Sequence, residues 1–220
     1  MSLLAPSPSK EVGARPASLC PETIYRAICS EPTPLARAEP FTAHVLACAL
    51  TVGIVEARAT GDTLSAALGL NRAALETLTA QWAPGVRLLF NIYDAPEHLP
   101  LDEEETQLHE LLSRFKADSS PLCAWIAAIV CRRAMAPRHL WQDLGLLERS
   151  ELTRLMNKWF PALAAANVDN MKWKKFFYRQ LCELEGFSLC AAPTCRECGD
   201  FDNCFGVEDG TSVLAHLNRR

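Results

Sequence analysis

The stretch Phe41-Thr-Ala-His-Val-Leu-Ala-Cys-Ala-Leu-Thr-Val-Gly-Ile-Val-Glu-Ala57 is apolar along most of its length, with one acidic residue, Glu56, and one histidine, His44. A run of this composition predicts a helix that is buried on most of its faces. It is shorter than the roughly 20 apolar residues that cross a bilayer. A second apolar run, residues 121–131, is shorter still and leads into two arginines. The two runs therefore predict core helices, and we expect no membrane partner.

The segments that flank this helix also follow a helical period. Asp62 is a candidate N-cap for a short helix that ends at Gly69, and Asn71 can cap the next helix. Asp102 opens an acidic run at the start of residues 101–116, which suits the positive end of a helix dipole. The chain contains no useful length of alternating apolar and polar residues, the pattern typical of strands. We therefore predict an all-α helical bundle with a cysteine-rich metal-binding loop near its carboxyl end.

Two segments of the chain resemble each other. The pattern L-x3-L-G-L at 64–70 recurs at 140–146, and the pattern L-x2-L-x3-W-x-P at 75–84 recurs at 152–161. Each copy follows an apolar helix, which indicates two similar three-helix units packed face to face. Chance similarity between leucine-rich helices is the alternative. The period exceeds the 20 to 50 residues usual for solenoids, so a fused pair fits better than an array. The predicted units are residues 41–84 and 121–161.

The charge balance excludes one class of partner. The formal net charge is -4 and the isoelectric point is near 5.8, which is unfavourable for binding nucleic acid or an anionic membrane surface. A glycine between two short helices, here Gly69, is also found in helix-turn-helix motifs that bind DNA, so such a motif is an alternative interpretation. The second of those helices, residues 71–82, carries a single basic residue, Arg72, whereas a recognition helix needs several donors to phosphates and base edges. We expect no nucleic-acid partner.

Four of the ten cysteines lie close together, at Cys190, Cys195, Cys198 and Cys204, in the pattern C-x4-C-x2-C-x5-C. One loop of this length can wrap a single metal centre, and four thiolates select zinc, cuprous copper or an iron–sulfur cluster. Structural zinc more often uses two ligand pairs separated by a longer stretch, whereas cluster proteins often take several cysteines from one short run. A zinc knuckle is the strongest alternative.

The residues between these cysteines are acidic. Glu197, Asp200 and Asp202 oppose only Arg196 within residues 190–204. A negative loop would repel phosphate, so a nucleic-acid-binding zinc knuckle is disfavoured. It would also lower the reduction potential of a cluster.

The other cysteines and the two ends of the chain indicate how the chain is divided into segments. Cys48, Cys123 and Cys131 lie in apolar helical patterns and are expected to be small core side chains. The start of the chain has no basic region followed by an apolar run, so we expect no signal peptide, a cytoplasmic location and reduced thiols. The predicted division is a disordered lead-in at 1–19, a helical domain at 20–189, a metal-cluster loop at 190–206 and a tail at 207–220.

An amphipathic helix is predicted just before the cysteines, with Asp169 as its N-cap. Its apolar stripe consists of Trp173, Phe176, Phe177, Leu181 and Leu184. Its cations are Lys172, Lys174, Lys175 and Arg179. They form either a solvated face or a surface that attracts an oxyanion or an acidic partner next to the metal loop, and Arg179 is spaced for an ion pair with Glu183.

These residues together resemble a known family. Residues 171–179, Met-Lys-Trp-Lys-Lys-Phe-Phe-Tyr-Arg, then Cys182, then the four-cysteine pattern that closes with Cys204-Phe-Gly, look like the signature of the NifQ family of nitrogen-fixation proteins. Two shorter stretches are also similar to that family, residues 139–146 and 159–161. The resemblance covers roughly residues 40–206.

The resemblance implies a metal-processing protein that is not an enzyme. Such a protein carries a molybdenum–iron–sulfur cluster of the Mo-3Fe-4S type, with [4Fe-4S] or [3Fe-4S] as a precursor, on Cys190, Cys195, Cys198 and Cys204. It passes molybdenum to the proteins that assemble the nitrogenase iron–molybdenum cofactor. The implied partners are the scaffold and iron proteins of that assembly, with molybdate as the metal source.

The sequence also offers one candidate molybdenum ligand other than cysteine, and two alternative functions remain open. His139, in a Pro-Arg-His-Leu loop, is a candidate molybdenum ligand beside the basic helix, although a lone histidine is more often structural. A [4Fe-4S] electron carrier and a zinc-stabilised adaptor are the alternative functions. No nucleophile–base pair or glycine-rich phosphate loop stands out in the sequence, so we predict no enzymatic activity.

Overall fold

The computed structural model describes residues 20–184 and 201–218. Within these residues there are α-helices, one short 3₁₀ helix (Ala215–Asn218) and no strand, so the all-α prediction is confirmed. The helices are α1 (Pro21–Cys29), α2 (Pro34–Ala38), α3 (Pro40–Thr60), α4 (Leu64–Leu68), α5 (Arg72–Trp82), α6 (Val86–Leu89), α7 (Glu103–Arg114), α8 (Pro121–Ala134), α9 (Leu140–Asp143), α10 (Arg149–Trp159), α11 (Pro161–Ala166), α12 (Trp173–Leu184) and α13 (Phe201–Phe205).

Most helix starts follow from local chemistry. Five helices, α1, α2, α3, α8 and α11, carry proline in the first turn, where its missing N–H is not needed. Asn71 accepts the N–H of Ala74 at 2.9 Å, which confirms it as the cap of α5. The predicted cap Asp62 is wrong, because the hydroxyl of Thr63, one residue later, accepts the N–H of Ala66 at 3.1 Å.

The start of α12 also differs from the prediction. The helix begins at Trp173 rather than directly after Asp169. A turn occupies the intervening residues, in which Asn170 has a positive φ of 54°. The Asn167 side chain holds that turn, since its Oδ1 accepts the N–H of Met171 at 2.8 Å and its Nδ2 donates to the carbonyl of Met171 at 3.0 Å.

The central element is α3, which is longer than predicted at both ends. Its 21 residues are enough to cross a membrane by length and composition, and it is the single such helix in the part of the chain that the structure describes. Yet 72% of its most apolar window is buried inside the protein, against α1, α2, α4 and other helices. This burial is typical of the core helix of a globular domain.

The two predicted units contain the same elements in the same order. Helices α3, α4 and α5 form the first unit, and α8, α9 and α10 form the second. The middle helix of each unit is followed by a left-handed glycine, Gly69 with φ 68° and Gly145 with φ 72°. The third helix of each unit ends at a buried tryptophan, Trp82 or Trp159. The matching order and matching helix ends support the internal repeat.

The contacts between the units are reciprocal. A Cβ added at Gly69 would lie 3.0 Å from the carbonyl oxygen of Ala128, on the first helix of the second unit. A Cβ added at Gly145 would lie 2.9 Å from the carbonyl oxygen of Cys48, on the first helix of the first unit. Such an exchange of equivalent contacts is what two similar units packed face to face produce.

The apolar stripe of α12 is confirmed over its first two turns. Trp173, Phe176 and Phe177 are buried, and the two phenylalanine rings lie about 6 Å from the Trp173 ring. Leu184, at the other end, is 55% exposed, so the predicted stripe is wrong there. The early turns of α12 are therefore the part held firmly against the core.

Three isolated cysteines occupy the core as predicted. Cys48, Cys123 and Cys131 are all buried. Burial raises the pKa of the Cys131 thiol to about 12. These thiols are therefore protonated at neutral pH and act as small apolar side chains.

The described carboxyl-terminal residues pack back onto the second unit. The Ser212 hydroxyl donates to the carbonyl oxygen of Gly145 at 3.1 Å, and Leu214 is fully buried. The Gln142 side chain donates to the carbonyl oxygen of Asp209 at 3.4 Å. These contacts hold residues 207–217 against α9 and the turn that follows it.

Candidate metal centre

One of the four predicted thiolate ligands lies in the described part of the chain. Cys204 is in α13 and is partly buried. Cys190, Cys195 and Cys198 lie outside the described residues. The contacts of Cys204 show which residues lie next to the last of the four cysteines.

Cys204 is held against the start of α12 by main-chain and side-chain bonds. The N–H of Lys172 donates to the carbonyl oxygen of Cys204 at 2.8 Å. The ammonium of Lys172 donates to the carbonyl oxygen of Asp202 at 2.9 Å. The carbonyl oxygen of Asp202 also accepts the N–H of Gly206 at 2.9 Å, so the ammonium adds a second bond at the carboxyl end of α13, where the helix dipole favours a cation. The last cysteine and the basic helix are therefore one structural unit.

A pocket of about 470 Å³ opens beside this junction. It is lined by His139, Leu140, Lys172, Lys174, Lys175, Asn203 and Glu208. His139 and three of the four predicted cations thus meet in one place, although they come from α12, from the residue just before it and from the loop before α9. We call this the basic pocket. Their roles in binding stay predictions, but their common location is a finding.

Lys174 forms an ion pair with the buried carboxylate of Asp143. Its ammonium lies 2.6 Å from Oδ2 of Asp143, a carboxylate with no exposed surface, and it also donates to the carbonyl oxygen of Ala136. Arg138 donates to the other carboxylate oxygen of Asp143 at 3.1 Å. Burial lowers the pKa of Lys174, and the attraction of Asp143 offsets part of that change. Lys174 therefore joins α12 to α9 and forms one wall of the pocket.

Arg133 anchors the same wall from α8. Its Nε donates to the carbonyl oxygen of Asp143 at 2.8 Å. Its two terminal nitrogens contact the carboxylate of Glu56 on α3 at 2.5 and 2.7 Å, a bidentate pair. The Arg133 side chain is 3% exposed. The pocket wall is thus connected to both apolar core helices through one buried guanidinium.

Arg179 is not part of the basic pocket. Its Nε lies 2.8 Å from Glu183 on the same helix, which confirms the predicted i,i+4 pair. Both side chains are more than a third exposed. It therefore lies apart from His139 and the three lysines.

Glu208 is a pocket residue that the sequence analysis missed. Its side chain is only 6% exposed, and its Oε1 lies 3.6 Å from Nδ1 of His139. Its Oε2 lies 3.8 Å from Nε of Arg149, and neither of these two buried atoms has a hydrogen-bond partner among the described residues. The signal in the sequence was an acidic residue four positions after the last cysteine, which is too common to single out.

Comparison with known proteins decides the family. The NifQ family model matches residues 45–206, which include the first three-helix unit from the second turn of α3 onward, the whole second unit and all four clustered cysteines. The chain belongs to the NifQ family. That membership connects it with nitrogen fixation and agrees with the resemblance noted from residues 171–206.

Individual NifQ relatives give the same result. A NifQ homolog from Sinorhizobium fredii (strain NBRC 101917 / NGR234) is 39% identical over 174 residues, which cover 79% of this chain and 75% of the relative. Protein NifQ from Rhodobacter capsulatus is 42% identical over 167 residues, or 76% of this chain and 91% of the relative. Protein NifQ from Azotobacter vinelandii is 43% identical over 106 residues, or 48% of this chain and 54% of the relative. No solved structure matches the chain.

The family match stops two residues before Glu208. The match therefore includes His139 and the lysines of the basic pocket, while the pocket carboxylate Glu208 is supplied by the segment that follows.

Proposed function

We propose that this NifQ-family protein holds a molybdenum–iron–sulfur cluster and supplies molybdenum for assembly of the nitrogenase iron–molybdenum cofactor. The cluster would be bound by the thiolates of Cys190, Cys195, Cys198 and Cys204. Its recipients would be the scaffold and iron proteins of cofactor assembly, and molybdate would be the metal source. In this role the protein is a carrier of metal rather than an enzyme, and it acts in the cytoplasm.

The donor set fits such a cluster. Four thiolates are soft ligands that suit iron and sulfide. Cys204 is partly buried and its carbonyl oxygen accepts the N–H of Lys172, so one ligand of the set lies on a short helix that is bonded to the start of α12. When bound, the cluster supplies sulfide and iron that can retain molybdenum at one corner.

The observation that carries the proposal is the basic pocket beside Cys204. Lys172 and Lys175 present positive charge there, while the cysteine loop itself is acidic. Molybdenum reaches proteins as the dianion molybdate, and cations next to the thiolates would attract it to a loop that alone would repel it. The pocket therefore gives the metal source a place to enter.

Anaerobic purification followed by metal and sulfide analysis tests the proposal. We expect a brown protein that contains iron, sulfide and molybdenum, and we expect it to transfer molybdenum to purified cofactor-assembly proteins. Cys198→Ala should lose the cluster and the transfer. Cys20→Ala, which removes an exposed cysteine outside the pattern, is the matched control and should retain both.

Two results would replace the proposal with another function. Iron and sulfide without molybdenum, together with a reversible one-electron reduction, would indicate the [4Fe-4S] electron carrier. A colourless protein with one zinc ion and tolerance of air would indicate the zinc-stabilised adaptor.

A further inference from the structure

We propose that His139 and Glu208 are direct ligands of molybdate in the basic pocket and that they select it against sulfate and phosphate. This inference rests on the proposed function, since that function names molybdenum as the cargo. It adds a site and a selection mechanism that the cysteine ligands do not supply.

The first observation is the state of Glu208. A carboxylate whose side chain is 6% exposed normally has its oxygens hydrogen-bonded or paired, because burial of a bare charge is unfavourable. Oε2 of Glu208 is buried and has no hydrogen-bond partner within residues 20–184 and 201–218. Its nearest cationic group, Nε of Arg149, is at 3.8 Å. The Glu208 charge is therefore balanced only by two long contacts, with Arg149 and with His139, and the absence of a hydrogen bond at Oε2 leaves the carboxylate able to bind a ligand in the pocket that it lines.

The second observation is the neighbour of that carboxylate. Nδ1 of His139 lies 3.6 Å from Oε1 of Glu208, and both residues line the pocket. Adjacent donors around one octahedral ion are roughly 3 Å apart when each bond is about 2.1 Å. A small movement would therefore let this nitrogen and this oxygen bind the same metal atom.

The charges of the pocket limit the kinds of ligand that it can bind. Lys172 and Lys175 line the same cavity as Glu208. A bare divalent cation would be repelled by the two ammonium groups, and a plain tetrahedral anion would be repelled by the carboxylate. An oxo-metal anion satisfies both kinds of group, because its oxygens accept hydrogen bonds from the lysines and its metal accepts electron pairs from the carboxylate and the imidazole.

Molybdate can react in this way, and sulfate and phosphate cannot. Molybdenum(VI) in molybdate is four-coordinate and can expand to six ligands. Two donor bonds form, one from Glu208 and one from His139, while two oxo groups each take up a proton from solvent to become hydroxo groups, and molybdenum keeps its oxidation state. The oxo groups become more basic and accept hydrogen bonds from Lys172 and Lys175. Sulfur and phosphorus do not accept such ligands, so sulfate and phosphate would be attracted by the lysines but would form no bond that offsets the repulsion of Glu208.

Binding measurements on the full-length protein test this selection. Equilibrium dialysis would measure the affinity for molybdate and for sulfate separately. We expect the wild-type protein to bind molybdate at least tenfold more tightly than sulfate. Glu208→Gln should weaken molybdate binding about tenfold and leave sulfate binding unchanged or stronger. Glu183→Gln, which alters an exposed carboxylate of α12 outside the pocket, is the matched control and should change neither.

X-ray absorption at the molybdenum edge gives a second measurement that does not depend on affinity. In a Cys198→Ala background, which removes a thiolate of the proposed cluster, bound molybdenum should be six-coordinate with oxygen and nitrogen neighbours. His139→Gln or Glu208→Gln in that background should return it to tetrahedral geometry. Equal affinities for molybdate and sulfate in the wild-type protein, or tetrahedral molybdenum with the pocket intact, would overturn the inference.

The two proposals fail separately. Selective molybdate binding without cluster formation or transfer would remove the proposed function and leave the pocket ligands established. Cluster formation and transfer at wild-type level by Glu208→Gln, together with unchanged selectivity for molybdate, would remove the pocket ligands and leave the proposed function in place.

Discussion

Replacement of Gly145 by alanine is the most direct test of how the two three-helix units pack. Gly145 has φ 72°, and a Cβ at this position would lie 2.6 Å from Cγ2 of Val52 and 2.9 Å from the carbonyl oxygen of Cys48. The substitution therefore introduces two separate penalties, one from the left-handed backbone and one from a contact that the neighbouring unit cannot fully relieve. The second contact is with main chain, which moves less readily than a side chain.

The size of the effect follows from those penalties. A left-handed residue with a Cβ costs roughly 1 to 2 kcal/mol, and overpacking a well-packed interior costs about 1 to 3 kcal/mol. Reduced freedom of the unfolded chain returns about 0.4 to 1 kcal/mol. We expect Gly145→Ala to lower the free energy of unfolding by about 3 kcal/mol. With a slope of about 2 kcal/mol/M, the urea midpoint measured by circular dichroism would fall by about 1.5 M.

Gly61→Ala is the matched control. Gly61 also has a positive φ, 82°, but nothing lies within 4 Å of the added Cβ. Only the backbone penalty applies, so we expect a loss of about 1 kcal/mol. Val52→Ala combined with Gly145→Ala should show a favourable coupling energy of about 0.5 kcal/mol or more, because the truncation removes the 2.6 Å contact. Equal destabilisation by Gly145→Ala and Gly61→Ala would refute the reciprocal packing.

Three further substitutions test the polar contacts. Asp143→Asn leaves the half-buried ammonium of Lys174 without its charge partner and should lower the free energy of unfolding by about 3 kcal/mol in urea titrations. Glu151→Gln should flatten the acid limb of stability against pH. Burial raises the pKa of Glu151, but hydrogen bonds from His44 and from the main chain lower it more, so the net pKa lies below its usual range. Its stabilisation is complete above the ordinary value of about 4.3 and is lost as the pH falls through the lower folded-state value. Arg179→Ala removes an exposed pair and should change stability by less than about 0.5 kcal/mol and leave molybdate binding unchanged.

Each of these expectations has a contrary result. Wild-type stability of Asp143→Asn would mean that the pair with Lys174 contributes nothing. An unchanged acid limb in Glu151→Gln would assign the acid sensitivity to other carboxylates. Loss of molybdate binding in Arg179→Ala, of a size similar to the loss expected for Glu208→Gln, would extend the binding surface beyond the basic pocket.

Much of the fold could be predicted because its signals are local. The apolar run at 41–57 indicated a buried helix, and α3 is that helix with one more residue at its start and three more at its end. Asn71 was recognised as a cap because an Asx side chain reaches an N–H within one turn of its own position. The two wrong predictions, Asp62 and Asp169 as helix caps, also have a local cause. In each case a nearby side chain accepts the main-chain N–H instead: Thr63 accepts that of Ala66, and Asn167 accepts that of Met171.

The basic pocket could be predicted only in part. His139 and the lysines of α12 were selected for their chemistry, and the structure brings His139, Lys172, Lys174 and Lys175 to one cavity. Arg179 shared the same chemistry but points its charge at Glu183. The spacing of these residues in the sequence does not show that Arg179 pairs with Glu183 on its own helix while the three lysines line the pocket.

By itself, the sequence determined the helical class, the close grouping of four thiols and, through its likeness to NifQ, the family, and it predicted the internal repeat. The helical class and the grouping of the thiols depend on residues within a turn or a short loop of one another, where periodicity and spacing are sufficient. Only the tertiary structure decided that Lys174 is held by Asp143 and that Glu208 lies beside His139, 69 positions earlier in the chain. Those contacts depend on how α9, α12 and the carboxyl-terminal segment pack together, because burial and charge pairing between distant elements are set by the whole core.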